Sequence, residues 1–222
     1  VLTIAENESF NFAEVDDLGT VTKDNSYLEK HIQAILDLPL VNKNAIQAAN
    51  FSVVVDAVNS TGGFFVPAML EALGVKNITK LYCDPTGHFP HNPEPLKEHL
   101  GDICKLVVEE KADFGIVVDP DVDRLAFISN DGEMFGEEYT LVACADYVLS
   151  KTPGNTVSNM SSSRALRDIT NNYNGSYQAS AVGEVNVVEM MKKEKAVIGG
   201  EGNGGVIYPE LHYGRDASLR SA

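Results

Sequence analysis

Hydrophobic and polar positions alternate along the chain as buried strands followed by amphipathic helices, and this order occurs twice. Continuous apolar runs between polar turns predict strands that are covered on both faces. In the first half such strands are predicted at 51–56, 78–83, 114–118 and 125–129. In the second half they are predicted at 156–160, 176–180, 196–199 and 206–208. Helices are predicted at 27–38, 103–111, 137–149, 163–173 and 185–194, and after the turn at 59–63, with Pro67 in the first turn of that helix.

This alternation predicts an α/β protein with two consecutive three-layer αβα domains. Each domain should contain a mostly parallel mixed sheet, with the returning strand as an antiparallel edge. We place the first domain at 26–131 and the second at 132–222. The acidic, weakly periodic residues 1–25 do not read as the start of a domain.

Composition narrows the classes of partner. The chain has 222 residues, and 17 Lys and Arg against 32 Asp and Glu give a net charge of −15. That charge argues against nucleic acid and anionic membranes, which attract basic proteins. No apolar run is long enough to span a bilayer. The spacing of Cys83, Cys104 and Cys144 fits neither a disulfide framework nor a CxxC metal site, which predicts a reducing, cytoplasmic location.

An acidic loop follows the third predicted strand. Asp119, Asp121 and Asp123 alternate there, with Arg124 beside them. Three carboxylates this close repel one another, and a divalent cation would hold them together. Compact ligands that offer only oxygen suit Mg²⁺ or Mn²⁺. The alternative is a solvated turn in which the aspartates cap backbone amides.

A glycine-rich loop, Gly200 to Gly205, follows the last long predicted strand. Its spacing satisfies GxGxxG, but it opens a strand-like VIYP instead of the helix that a dinucleotide site requires. Glycine permits close approach of a ligand, and the side chains of Glu201 and Asn203 can hydrogen-bond vicinal hydroxyls. This chemistry suits a sugar, although a tight turn without any ligand has a similar sequence.

The two loops DPDVDRLAF and GEGNGG, in this order and about eighty residues apart, resemble those of the α-D-phosphohexomutase family. Supporting stretches are VVVDAVNSTGG, GHFPHNPEP, SSSRAL, VGEVNVVEMM and HYGRDA. The resemblance implies that Asp119, Asp121 and Asp123 bind Mg²⁺ and that Arg124 acts near the transferred phosphoryl group. It implies substrate contacts from Gly200, Glu201, Gly202, Asn203, Gly204 and Glu184. Pro120 and Val122 replace two family glycines, and Asn203 replaces a family serine.

The resemblance also implies an isomerase that interconverts hexose 1-phosphate and hexose 6-phosphate through a phosphoserine and a bisphosphate intermediate. The hexose would be glucosamine, mannose or glucose. Family members have four domains, and this chain matches the second and third. The resemblance implies that residues 1–25 are a linker or remnant of a preceding catalytic-serine domain. It makes 26–131 the metal-binding domain and 132–222 the sugar-binding domain, with its last helix cut short. We therefore expect its partners to be a phosphorylated hexose and domains 1 and 4 of the same polypeptide, and we expect this chain alone to be inactive.

Several alternatives remain at this point. A phosphatase of the haloacid-dehalogenase type would use Asp119 as nucleophile, but Asp123 stands where that family has Thr or Val. A non-catalytic module that binds carbohydrate or a cation is the other alternative. Glu184 either faces a substrate amino group or is a first-turn helix charge. Arg215 either lies near the cleft or pairs with Asp216. Among the histidines, His88 and His91 are interpreted as loop contacts and not zinc ligands, and no partner is predicted for His31 and His212.

Overall fold

The computed structural model describes residues 1–220. Its first 25 residues are exposed at every position and contain only a short helix, α1 (Leu2–Glu6), and one 3₁₀ turn (Val15–Asp17). They therefore contribute nothing to a hydrophobic core. Among the described residues, no helix combines the length and apolar character needed to cross a membrane.

The first domain is a four-stranded sheet with helices on both faces. Its elements are α2 (Tyr27–Leu36), α3 (Lys43–Ala49), β1 (Ser52–Asp56), α4 (Gly62–Leu73), β2 (Asn77–Leu81), a 3₁₀ turn (Lys97–His99), α5 (Gly101–Glu109), β3 (Phe114–Val118) and β4 (Leu125–Ser129). The strand order is β2-β1-β3-β4. The first three strands are parallel, and β4 pairs antiparallel with β3 at the edge.

The second domain repeats this topology. Its elements are α6 (Glu137–Lys151), β5 (Thr156–Asn159), α7 (Ala165–Asn172), β6 (Tyr177–Ser180), α8 (Glu184–Glu194), β7 (Ile198–Glu201), β8 (Gly205–Ile207) and α9 (Ala217–Arg220). The order β6-β5-β7-β8 again ends in an antiparallel strand. The predicted fold class, two α/β domains with mixed sheets, is confirmed.

The side chains of β1 point alternately to the two faces of the sheet, and this explains the three layers of the first domain. Val53 and Val55 pack in a cluster with Val66 and Leu70 of α4, while Val54 belongs to a separate cluster with helix α5. Successive side chains of a strand point to opposite faces of the sheet, so an unbroken apolar run requires a cover on each side.

The start of α4 differs from the sequence prediction. The helix begins at Gly62, so Pro67 is its sixth residue and not part of the first turn. The two leading glycines allow this early start. A Cβ on Gly63 would lie 2.3 Å from the carbonyl oxygen of Cys83, and one on Gly62 would lie 2.5 Å from a methyl of Val118. The helix N-terminus therefore approaches the sheet more closely than a side chain would permit.

The two domains meet where the acidic and glycine loops face one another. The Leu125 N–H donates to the carbonyl oxygen of Gly204 at 3.3 Å, and the Ala217 N–H donates to that of Val122 at 3.0 Å. On the outer side, His31 Nε2 of α2 lies 2.8 Å from Asp216 Oδ2. We call these three contacts the domain joint. They place both loops at one interface.

Candidate metal and sugar site

The acidic loop is wound around the first of its aspartates. Asp119 directly follows β3 and is fully buried. Its Oδ1 accepts the backbone N–H groups of Asp123, at 3.1 Å, and Arg124, at 3.0 Å. A carboxylate that receives two amides fixes the backbone between them, so the next two carboxylates are held at set positions.

The three aspartates converge. One carboxylate oxygen from each of Asp119, Asp121 and Asp123 lies within 4.8 Å of the other two. Asp121 is exposed and Asp123 half-buried. Burial and the negative charge of Asp119 raise the pKa of Asp123 to about 6, against the opposing effect of Arg215. This compact set of oxygen donors, open to solvent on one side, fits a small hard cation such as Mg²⁺.

The acidic loop is also held by the turn that precedes α4. Ser60 Oγ and Thr61 Oγ1, in the turn before α4, donate to the carbonyl oxygen of Pro120 at 2.9 and 2.7 Å. Val122 adopts a φ of +59°, in the left-handed region that a β-branched residue rarely occupies. The replacement of a family glycine at this position is therefore accommodated with strain, which the bonds on both sides hold in place.

Arg124 lies against the same carboxylates. Its Nε donates to Asp119 Oδ2 at 2.7 Å, and its Nη1 donates to Glu94 Oε1 at 3.2 Å. Glu94 belongs to the Pro-rich loop that follows β2. The guanidinium is half-buried and therefore links the acidic loop to the Pro-rich loop.

The glycine loop presents a buried carboxylate and an exposed amide. Glu201 is the last residue of β7, two positions beyond the predicted strand end at 199, and it is 5% exposed. Its Oε1 accepts Asn159 Nδ2 at 2.6 Å and the Gly183 N–H at 3.3 Å. Asn203 is exposed, and its Oδ1 accepts the Gly205 N–H at 3.1 Å.

Two residues beside this loop were not identified from the sequence. Asn159 ends β5 and holds Glu201, and Glu138 of α6 accepts the backbone N–H of Ser163. A Cβ on Gly202 would lie 2.8 Å from Glu138 Oε2. Asn159 could have been identified from the sequence, because it ends a predicted parallel strand and ligands bind at the carboxyl ends of such strands. Glu138, near the start of a helix, carried none.

Arg215 connects the two loops. Its Nη1 donates to Glu201 Oε2 at 2.8 Å, and its Nη2 donates to Asp123 Oδ2. Its backbone N–H donates to Glu184 Oε1 at 3.0 Å. The first of the two interpretations of Arg215, a position near the cleft, is therefore the one observed. Glu184 opens α8 and is engaged by Arg215.

The histidines divide into two groups. His31 and His212 both contact Asp216 Oδ2, at 2.8 and 3.2 Å, so the prediction that they have no partner is wrong. The Gly214 N–H donates to His212 Nδ1 at 3.0 Å. The proton of the His212 imidazole therefore lies on Nε2 and is donated to Asp216. His31, His212 and Asp216 thus form a hydrogen-bonded cluster. In the Pro-rich loop, His91 makes polar contacts with Asp56 and the Asn92 carbonyl, as predicted.

A cavity of about 310 Å³ opens beside the acidic loop. Asp121 and Arg215 line it, and the walls include Phe64, Phe65 and His212. Of the predicted metal and sugar residues, Asp121 lines this cavity.

Comparison with known proteins matches the chain to two consecutive family domains. The family model described as phosphoglucomutase/phosphomannomutase, alpha/beta/alpha domain II, matches residues 26–132, and that for domain III matches residues 136–222. A phosphoglucomutase/phosphomannomutase of Thermococcus kodakarensis is 34% identical over 218 residues, which are 97% of this chain and 47% of that protein. A protein of Methanopyrus kandleri named "Probable phosphoglucosamine mutase" is 32% identical over 209 residues, 93% of this chain and 45% of that protein.

A solved structure of a phosphoglucomutase/phosphomannomutase family protein from Burkholderia thailandensis matches with a TM-score of 0.82. That match has 24% identity and covers 99% of this chain and 46% of the other, so it supports the fold. The chain spans about half the length of the relatives that it matches. With both domain models matched along the chain, and with the acidic and glycine loops facing each other across the domain joint, the chain belongs to the phosphoglucomutase/phosphomannomutase family.

Proposed function

We propose that this chain supplies the cation-binding and sugar-binding domains of a phosphohexomutase, which interconverts hexose 1-phosphate and hexose 6-phosphate. One observation carries the proposal: a single guanidinium, that of Arg215, touches both Asp123 of the acidic loop and Glu201 of the glycine loop. A ligand that is held by one loop would therefore lie within reach of the other.

Asp119, Asp121 and Asp123 would hold Mg²⁺ through one carboxylate oxygen each. Their all-oxygen donor set and mutual distances of at most 4.8 Å support this assignment. When bound there, Mg²⁺ would neutralise charge that develops on phosphoryl oxygens during transfer.

The side chains of the glycine loop would bind the sugar. Asn203 is exposed and can donate and accept hydrogen bonds at once, while Glu201 can accept them from neighbouring hydroxyls. Arg124, at the edge of the acidic loop, would orient the phosphoryl group with its remaining N–H donors. Such positioning contributes most of the acceleration in phosphoryl transfer, because the protein itself forms few bonds in that reaction.

The phosphoserine would come from a domain of the full-length enzyme that lies outside this chain. No serine in the sequence stands in a TASHNP-like motif. The phosphoserine would give its phosphoryl group to the sugar, and the resulting bisphosphate would return its other phosphoryl group to the serine after reorientation. The protein would act in a reducing compartment, because the spacing of Cys83, Cys104 and Cys144 in the sequence fits no disulfide framework.

The phosphatase alternative is disfavoured by the geometry of Asp119. Oδ1 accepts two backbone amides and Oδ2 accepts Arg124 Nε, and the residue is fully buried. A nucleophilic carboxylate must reach the phosphorus atom in line with the leaving group, and this one is turned into its own loop.

Calorimetric titration of Mg²⁺ tests the cation site. Wild type should bind weakly, and Asp121→Asn should weaken binding at least about tenfold, because one of three charged ligands becomes neutral. Asp168→Asn, which removes an exposed carboxylate from α7, is the matched control and should leave binding unchanged. Equal heats for wild type and Asp121→Asn would contradict the assignment.

Titration with a hexose phosphate distinguishes the phosphohexomutase proposal from the alternative of a non-catalytic carbohydrate-binding module. The proposal expects affinity that rises with Mg²⁺ and falls when Asp119, Asp121 and Asp123 are all changed to Asn. Hexose affinity that is indifferent to the triple change would favour the module. Mutase turnover by the chain alone would refute the assignment of the phosphoserine to another domain.

A further inference from the structure

Arg215 is the only positively charged group described here that contacts carboxylates of both loops. It lies between β8 and α9, and three carboxylates surround its guanidinium. Glu201 Oε2 is 2.8 Å from Nη1, Glu184 Oε2 is 3.5 Å from Nε, and Asp123 receives Nη2. The side chain is 17% exposed, so solvent screens these attractions only in part.

The backbone of the glycine loop leaves space for this side chain. A Cβ on Gly205 would lie 2.4 Å from Arg215 Cδ, so any other residue at 205 would displace the aliphatic part of the arginine. The Arg215 N–H is fixed by Glu184 Oε1 at 3.0 Å. The position of the arginine is therefore determined by its own backbone and by the missing side chain at 205.

Arg215 engages one carboxylate oxygen in each of the two proposed subsites. Glu201 has Oε1 bound by Asn159 and Gly183 and Oε2 bound by Arg215, which leaves its carboxylate fully engaged. Asp123 Oδ2 is likewise bound by the guanidinium. A divalent cation among the aspartates would repel the nearby guanidinium and compete with it for Asp123.

The guanidinium is also incompletely satisfied in this position. Within residues 1–220, Arg215 Nε is buried and has no hydrogen-bond partner. A buried donor without an acceptor costs free energy, which lowers the barrier to moving the group elsewhere. Its backbone anchor on Glu184 would persist during such a movement, because that bond does not involve the guanidinium.

We propose that Arg215 is a built-in counter-cation that couples the two subsites. It neutralises Asp123 and engages Glu201 when neither ligand is bound. Binding of the divalent cation expels the guanidinium from Asp123, which also releases Glu201 Oε2 for the hydroxyls of the sugar. This inference rests on the proposed function of the two loops, and it adds that cation binding prepares the sugar site.

The test is calorimetric titration of Mg²⁺ into Arg215→Met at about pH 8. Methionine keeps an unbranched chain over Gly205 and removes the charge. We expect Mg²⁺ to bind about tenfold more tightly than to wild type, because the competitor is gone. Arg164→Met, which removes an exposed arginine from the same domain, should change the affinity by less than about twofold. Unchanged or weaker binding by Arg215→Met would overturn the inference.

A second measurement uses the wild-type chain and so does not depend on the folding of a variant. In a ¹⁵N–¹H spectrum, the Arg215 Nε–H signal should shift as Mg²⁺ saturates the protein, while that of Arg164 should stay in place. An Arg215 signal that is indifferent to saturating Mg²⁺ would overturn the inference.

The failure of this inference is distinguishable from failure of the proposed function. If Asp121→Asn weakens Mg²⁺ binding but Arg215→Met leaves it unchanged, the cation site stands and the counter-cation does not. If neither wild type nor Arg215→Met binds Mg²⁺, both are refuted. If Mg²⁺ raises the affinity for hexose phosphate, hexose phosphate must raise the affinity for Mg²⁺ by the same factor. This increase should be seen in wild type and should be much smaller in Arg215→Met.

Discussion

At the scale of single residues, His91 ties the Pro-rich loop to the end of β1 through a carboxylate that solvent does not reach. Its Nε2 lies 3.1 Å from Asp56 Oδ2, and Asp56 is 1% exposed. The hydrogen bond with Asp56 raises the pKa of His91 above its ordinary value, although partial burial opposes the shift. The same loop carries Glu94, the partner of Arg124, so this contact helps to hold the rim of the proposed site.

This raised pKa predicts a pH-dependent stability. A group whose pKa is higher in the folded state stabilises the fold fully below its unfolded pKa of about 6.5 and loses that contribution as pH rises through the folded value. His91→Gln should therefore lower the free energy of unfolding by about 1 kcal/mol in mild acid and by less at alkaline pH. Denaturant unfolding at both pH values measures the difference.

His88→Gln is the matched control, because His88 is exposed in the same loop. It should change stability little at either pH. A His91→Gln effect that is equal in acid and base would show that the imidazole contributes packing and not charge.

Residue-scale pairings are also where the sequence was least informative. Asp119, Asp121, Asp123 and Glu201 were identified because they stand in loops after predicted buried strands and because those loops resemble two loops of a known family. The contact of Arg215 with Asp123 joins residues 92 positions apart, and that of Asn159 with Glu201 joins residues 42 apart. The first contact depends on how the two domains pack, and the second on the pairing of β5 with β7 within one sheet. Neither is encoded by a local pattern.

At the scale of elements, a pattern of apolar positions predicts what is buried and little else. The strand predicted at 114–118 is observed at Phe114–Val118, because both its faces are covered and every position contributes to the signal. Helix α3 was missed because Lys43–Ala49 contains no buried residue. Its one local sign is the side chain of Asn42, which accepts the Ala45 N–H at 3.0 Å as a helix cap.

The turn between β7 and β8 shows how an element can be shaped by another domain. Gly204 has a φ of +86°, and a Cβ there would lie 2.6 Å from the Leu125 carbonyl oxygen. Gly204→Ala should therefore destabilise the protein by about 2–3 kcal/mol, as the sum of backbone strain and a collision at the domain joint. Thermal or denaturant unfolding measures this loss.

Gly87→Ala measures the cost of backbone strain without a steric collision. Gly87 has a φ of +73°, and among the described residues no atom lies within 4 Å of a Cβ built there. Its cost should be about 1 kcal/mol, the usual penalty for a side chain in this region. Equal costs at 87 and 204 would mean that the domains separate readily enough to remove the collision.

At the scale of the whole molecule, Asp216 helps to hold the two domains together. Its Oδ2 receives His31 from the first domain and His212 from the second, while Oδ1 accepts the Ser218 N–H at 2.8 Å. Burial alone would raise the pKa of Asp216, but the hydrogen bonds from both histidines outweigh it and hold the pKa below its ordinary value. The carboxylate therefore stays charged at the interface.

Asp216→Ala should lower the free energy of unfolding by about 2–3 kcal/mol at neutral pH, because it removes an interdomain bond and the cap of α9. A depressed pKa stabilises above the unfolded value of about 3.9, so the loss should shrink only in acid. Asp168→Ala, on the exposed face of α7, should cost less than about 0.5 kcal/mol. Similar costs for the two variants, measured by urea unfolding, would show that Asp216 does not hold the domains together.

The shared strand order of the two sheets has one more consequence. The acidic loop joins β3 to β4, and the glycine loop joins β7 to β8. The two loops therefore occupy equivalent positions in the two domains, and each forms one side of the cleft. The two hairpins differ in their side chains, because the first carries three carboxylates and the second carries glycines with Glu201 and Asn203. A ligand whose two ends are chemically alike, and which must turn end for end, is well matched to a cleft assembled from two versions of one hairpin.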